Sequence, residues 1–235
     1  MWSLDILRPR RVGWRGRENI YSRPVNVFIL NAGRSGSQTF ARACSHIRNY
    51  TSAHESRSGL LGEAHFDYPD RHIESDNRLS WLLGRLDRRF GDRAFYVHLT
   101  REVRPVAASW ARRAHTGMMN AYRYAILWHC PKDATPLEVA LDYCDTVEQN
   151  IRLFLRDKTN RMSMRLEEAR GQFPEFWRRI GAEGDLDAAL AEFGVRHNAA
   201  WDRRSGEDAE PGPLGRVGSK LYRIGRKLPV FLRNA

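Results

Sequence analysis

The segment VFILNAGRSGSQTF, Val27 to Phe40, limits the fold more than any other part of the chain. Pro24 precedes VNVFILN, a short, β-branched, nearly continuous apolar run. That is the pattern of a strand buried on both faces of a parallel sheet. The run gives way to a glycine, an arginine and a cluster of small hydroxyl residues. SQTFARACSHI then places Phe40, Ala43, Cys44 and Ile47 at helical spacing. Strand, glycine-rich loop and helix in that order begin an α/β fold, because a parallel strand needs a crossover before the next can join it.

The alternation continues. NYTSAHE reads as a second strand and AFYVHLT as a further one. NRLSWLLGRLDRRF carries Leu79, Leu82, Leu83, Leu86 and Phe90 on one helical face, closed by Gly91-Asp92. EVRPVAASWARRA is helical from about Pro105. Thr135-Pro136-Leu137-Glu138 combines an N-cap, a proline at the first helical position and a capping-box glutamate. Behind it Leu137, Leu141, Cys144, Val147, Ile151 and Phe154 form a stripe reaching to about Lys158. RMSMRLE is a late strand, and DLDAALAEFG a short helix closed by Gly194. The expected fold is a P-loop-type three-layer α/β/α domain with a central parallel sheet.

The charge is uneven. The chain carries +11 in total; residues 1–23 hold six Arg against Asp5 and Glu18, and residues 211–235 hold six Arg or Lys and no acid, so the body between them carries only +1. A near-neutral body argues against nucleic acid. The organisation expected is a basic flank over residues 1–23, a domain over 24–210 and a basic amphipathic tail over 211–235. In the tail Leu214, Val217, Leu221, Ile224 and Leu228 follow helical steps, which suits peripheral contact with an anionic membrane. No apolar run approaches the ~20 residues of a membrane span. MWSLDILRPRR places its charges after its apolar patch, the wrong order for a secretory signal. A cytoplasmic protein, peripheral at the inner membrane face, is expected. Cys44, Cys130 and Cys144 lack metal-type spacing and read as reduced thiols.

In parallel α/β sheets ligands bind beyond the carboxyl ends of strands. The loop after VNVFILN is such a place. N–H groups in the first turn of a helix lack intrahelical partners, and the helix dipole adds positive charge. Gly33 and Gly36 let the backbone curl around an anion; Arg34, Ser35, Ser37 and Thr39 offer charge and hydroxyl donors. The nucleotide-hydrolase loop G-x-x-x-x-G-K-[ST] is not matched: its Lys and following Ser/Thr are missing, and no apolar strand ending in an acid presents itself for magnesium. A second anion site falls on YVHLTREVRPVAASW, where Arg101 follows a strand and Ser109 stands eight residues on.

FILNAGRSGSQTF followed by YVHLTREVRPVAASW resembles the sulfotransferases that use 3′-phosphoadenosine 5′-phosphosulfate (PAPS). In that family a strand-loop-helix of form x-[RK]-[ST]-G-[ST]-[ST]-x binds the 5′-phosphosulfate, and a later R-x7-S binds the 3′-phosphate. The resemblance spans about residues 24–200, with its motifs in the first half. It assigns PAPS to Arg34, Ser35, Gly36, Ser37, Gln38 and Thr39, with Arg101 and Ser109 at the 3′-phosphate. Gln38 departs from the usual hydroxyl residue, and GRVGSK, Gly215 to Lys220, only faintly echoes the glycine-rich third segment of the cytosolic branch. The bacterial, carbohydrate-modifying branch is the better match, which implies a sugar-containing hydroxyl acceptor and no metal. Arg34 would stabilise charge on the bridging oxygen. The base is sought in TSAHES: His54 and Glu55 are adjacent, so in an extended segment only one faces the site. Glu in this branch occupies about the place of Glu55; His65 in GEAHF is the alternative. The stretches 59–77 and 118–130 are expected to shape the acceptor pocket. A P-loop nucleotide kinase, or a nucleotide-binding module without catalysis, is the competing reading.

Overall fold

The computed structural model describes residues 26–195; the flank over 1–23 and the tail over 211–235 lie outside them. Strands β1 (Val27–Leu30), β2 (Thr51–His54), β3 (His72–Ser75), β4 (Phe95–Thr100) and β5 (Arg161–Arg165) form one sheet in the order β2-β3-β1-β4-β5. Every neighbouring pair is parallel. The helices among the described residues are α1 (Ser37–Cys44), α2 (Leu83–Phe90), α3 (Val103–Ala111), α4 (Gly117–Ala121), α5 (Pro136–Leu155), α6 (Ala169–Arg179) and α7 (Leu186–Ala191). None is long and apolar enough to cross a membrane.

Strand alternation divides the core into two layers. Phe28, Leu30 and Tyr96 point to one face, where they meet Leu86 of α2, Val106 and Ala107 of α3, and Tyr143, Val147 and Ile151 of α5. Val27, Ile29, Phe95, Val97 and Leu99 point to the other, against Phe40 of α1, Phe173 and Phe176 of α6, and Ala189 of α7. Each large apolar side chain fully withdrawn from water contributes about 1.5–3 kcal/mol, so the buried centre of the sheet is where the fold is anchored. The three-layer α/β/α architecture expected from the sequence is present.

Helix α5 starts as its cap predicts. Thr135 Oγ1 accepts from the Glu138 N–H at 3.2 Å, and Glu138 Oε2 accepts from the Thr135 N–H at 2.7 Å. The Thr135 N–H and the Thr135 hydroxyl, both donating to Glu138 Oε2, hold that carboxyl below the usual carboxylate range. Cys144, Val147 and Ile151 of the expected stripe are buried; Val139, Ala140 and Tyr143 join them, while Leu137 is exposed. NRLSWLLGRLDRRF is not one helix. Asp76 accepts from the Arg78 N–H at 2.8 Å and opens a tight 3₁₀ turn, Asn77–Trp81, before α2 begins. Helix α3 begins at Val103, so Pro105 falls in its first turn, where a missing N–H loses no bond. The stretch 59–77 contains β3, whose residues are all buried, preceded by a segment in which Leu60 and Leu61 are exposed. Helix α6, with Pro174 in its body, was also not anticipated.

Candidate active site

The chain order reverses about the centre of the sheet: β2 and β3 lie to one side of β1, and β4 and β5 to the other. Such a switch point opens a crevice at the carboxyl ends of the strands. The two anion motifs follow β1 and β4, which pair with Leu30 opposite His98. The intervening residues 31–97 are thus spanned by a single strand spacing.

The loop after β1 is wound tightly. Gly33, Arg34 and Gly36 have φ of 77°, 57° and 86°. Asn31 Oδ1 accepts from the Gly33 N–H at 2.8 Å, and Trp110 Nε1 donates to the Ala32 carbonyl at 3.0 Å. A Cβ at Gly33 would stand 2.6 Å from the Trp110 ring, and one at Gly36 would collide with Leu166. Both glycines are therefore required by close approach as well as by φ. Gly36 caps α1 without any side-chain bond, and the first turn of α1 holds no acid. The N–H groups of a first turn lack intrahelical partners, and the helix dipole favours an anion at this end.

The structure joins the two motifs directly. Arg34 Nε donates to Ser109 Oγ at 2.9 Å, and Arg101 Nη1 donates to the Arg34 carbonyl at 3.3 Å. Ser109 also accepts from Arg113 Nη1 at 3.2 Å. It accepts both contacts, so its own O–H is left to donate. Arg113 was missed, although it stands one helical turn after Ser109 and i,i+4 spacing marks it. Arg101 leans toward Glu167, 4.0 Å from Nε to Oε1, and the Glu102 N–H donates to the same carboxylate at 3.1 Å. Burial pushes the Glu167 carboxyl up; the Glu102 N–H and the nearby arginines outweigh it and hold the group low. Ser35 turns inward, with Oγ donating to the Gly33 carbonyl at 3.1 Å, so it shapes the loop rather than offering its hydroxyl outward. Gln38 and Thr39 lie half-buried in the first turn of α1.

On the opposite side of the loop stand acids. Ser37 Oγ and His54 Nε2 lie 3.0 Å apart. Glu55 follows with φ 54°, a left-handed turn that breaks strand alternation. Alternation holds only while the segment stays extended, and it does not at Glu55: His54 meets Ser37, and Glu55 Oε2 meets Arg78 Nη1 at 2.7 Å. His65 is buried in the 3₁₀ turn Gly62–Phe66; its contacts are within its own segment, to the Leu60 carbonyl at 3.1 Å and to the Phe66 ring. No apolar strand ending in an acid is present among the described residues, but a polar strand is followed by one. β3 lies beside β1 and leads into Asp76, which is fully buried. Burial raises the Asp76 carboxyl above the ordinary range, opposed in part by the Arg78 N–H. The strand was illegible as such because HIES carries three polar residues.

The sulfotransferase domain from the curacin biosynthetic pathway is similar to this chain in structure. The TM-score is 0.52 over 70% of this chain and 76% of that domain, at 16% sequence identity. At that identity the likeness establishes the fold alone: an α/β domain with a parallel sheet between helices, as in that sulfotransferase domain. No protein-family model and no curated protein matches the chain.

Proposed function

We propose that this chain transfers the sulfuryl group of PAPS to a hydroxyl group of a carbohydrate or glycoconjugate. The observation that carries the reading is the Arg34–Ser109 contact at 2.9 Å, which makes one continuous cationic, hydroxyl-lined site out of two motifs. A nucleotide with phosphates at both its 5′ and 3′ positions needs two anion sites at fixed separation. Here the open first turn of α1 with Arg34 serves the 5′-phosphosulfate, and Arg101 with Ser109 serves the 3′-phosphate.

In the reaction an acceptor oxygen attacks sulfur in line with the departing phosphate oxygen. The new O–S bond forms as the old one breaks, and 3′,5′-adenosine bisphosphate leaves. Charge grows on the bridging oxygen, where Arg34 and the α1 N–H groups stabilise it, as positioned donors do in phosphoryl transfer. Glu55 takes the acceptor's proton. Its side chain is 32% exposed, so an incoming hydroxyl can reach it, and Arg78 holds one carboxylate oxygen in place.

Asp76 supports a second reading. A buried acid at the end of the strand next to β1 stands where a nucleotide kinase would hold magnesium. Calorimetry separates the two. The sulfotransferase reading expects 3′,5′-adenosine bisphosphate to bind without magnesium and more tightly than ATP. Tighter, magnesium-dependent ATP binding would favour the kinase. Incubating the protein with PAPS and an acceptor library then identifies the hydroxyl.

A further inference from the structure

β3 is an unusual interior strand. All four of its residues are buried, and it brings Glu74 and Asp76, two residues apart on one side of the strand, into the protein. Glu74 Oε1 accepts from the Ser56 N–H at 3.0 Å, and its Oε2 accepts from the Ser56 hydroxyl. The same Oε2 lies 3.1 Å from His72 Nε2, whose Nδ1 lies 2.7 Å from Thr51 Oγ1. Burial pushes the Glu74 carboxyl up, but the bonds from His72 and Ser56 outweigh it and hold the group below the ordinary range. Stability alone gives no reason for a charge here, since well-packed apolar residues in place of a buried ion pair are often neutral or better.

The position of Ser56 supplies a reason. It follows Glu55, the residue in the left-handed turn. Such a conformation persists only where neighbouring structure fixes it. Glu74 fixes it from one side through both donors of Ser56. Asp76 fixes the partner from the other side, through the Arg78 N–H at 2.8 Å. Glu74 in β3 and Asp76 just after it thus hold the two halves of the 2.7 Å Glu55–Arg78 pair. Resting on the reading of Glu55 as base, we propose that Glu74 is a positioning residue, which clamps the Glu55–Ser56 turn so that the Glu55 carboxylate stays at the edge of the β1 loop.

Hydrogen–deuterium exchange on the full chain tests the clamp without any acceptor. Glu74→Gln should speed exchange over residues 55–58 by about tenfold or more, the loss of a charge-assisted bond, and leave residues 27–40 unchanged. Ser56→Ala keeps the buried carboxylate and its His72 partner, and should act in the same direction by less. It decides the matter if Glu74→Gln does not fold. Unchanged exchange over 55–58, or equal acceleration everywhere, overturns the clamp. Turnover with an acceptor from the library supplies the second arm. Glu74→Gln should lower kcat roughly tenfold with nucleotide KM unchanged, and add nothing on top of Glu55→Gln. Equal losses in both backgrounds mean a merely structural role and overturn the proposal. Full activity in Glu55→Gln, or no acceptor sulfated at all, defeats the reading of the base instead, while the exchange result still stands or falls by itself.

Discussion

The two sides of the β1 loop are built from opposite chemistry. Toward β4 stand Arg34, Arg101 and Arg113, all cationic donors, with Ser109 accepting from two of them. Toward β2 and β3 stand Glu55, Glu74 and Asp76, all carboxylates, tied to Arg78, His72 and Ser56. The donor side leaves a hydroxyl and a helix N-terminus to accept an anion. The acid side is largely satisfied from within, and its half-exposed member is Glu55. A sheet edge divided in this way suits group transfer: one side binds the charged donor, and the other receives a proton. His54, against Ser37, marks the boundary.

The sharpest way to break this division is Glu55→Gln. It removes the proton acceptor with little change in volume, so turnover should fall by ~10²–10⁴-fold while affinity for 3′,5′-adenosine bisphosphate is kept. Kinetics paired with calorimetry check both halves; a loss of affinity would place Glu55 on the donor side. The converse changes, Arg101→Ala and Ser109→Ala, should weaken nucleotide binding by roughly ten- to a hundredfold, about 1.5–3 kcal/mol, with the fold intact. Unchanged affinity in Arg101→Ala would remove the 3′-phosphate from that side.

Thr135→Ala serves as the control outside both sides. It breaks the α5 capping box and should cost about 1 kcal/mol in denaturant unfolding without altering nucleotide affinity. The smallest effect concerns Asp76. Its carboxyl binds a proton more tightly folded than unfolded, so it favours the folded state below the ordinary aspartate range and loses that contribution as pH rises through its folded value. Asp76→Asn removes the loss. Thermal midpoints of mutant and native chain should therefore diverge in the mutant's favour as pH is raised from about 4 to 7. A constant gap would mean that Asp76 is not held protonated by burial.

The sequence by itself determined the elements whose signals are local. The apolar run of β1, the glycines after it, β4 and the α5 capping box each lie within a few consecutive residues, and each was found in place. The α/β class followed, because strands and helices that alternate along the chain leave few other arrangements. Which side chains meet was decided by the tertiary structure. Arg34 reaches Ser109 only because β1 and β4 are neighbours, a pairing that no local pattern encodes. β3 was hidden for the same reason in reverse. His72, Glu74 and Ser75 give no strand signal by themselves; Thr51, Ser56 and the Ser37 carbonyl arrive from elsewhere to satisfy them. A buried polar group is tolerated only when its partners are present, and those partners are distant in sequence and near only in the fold.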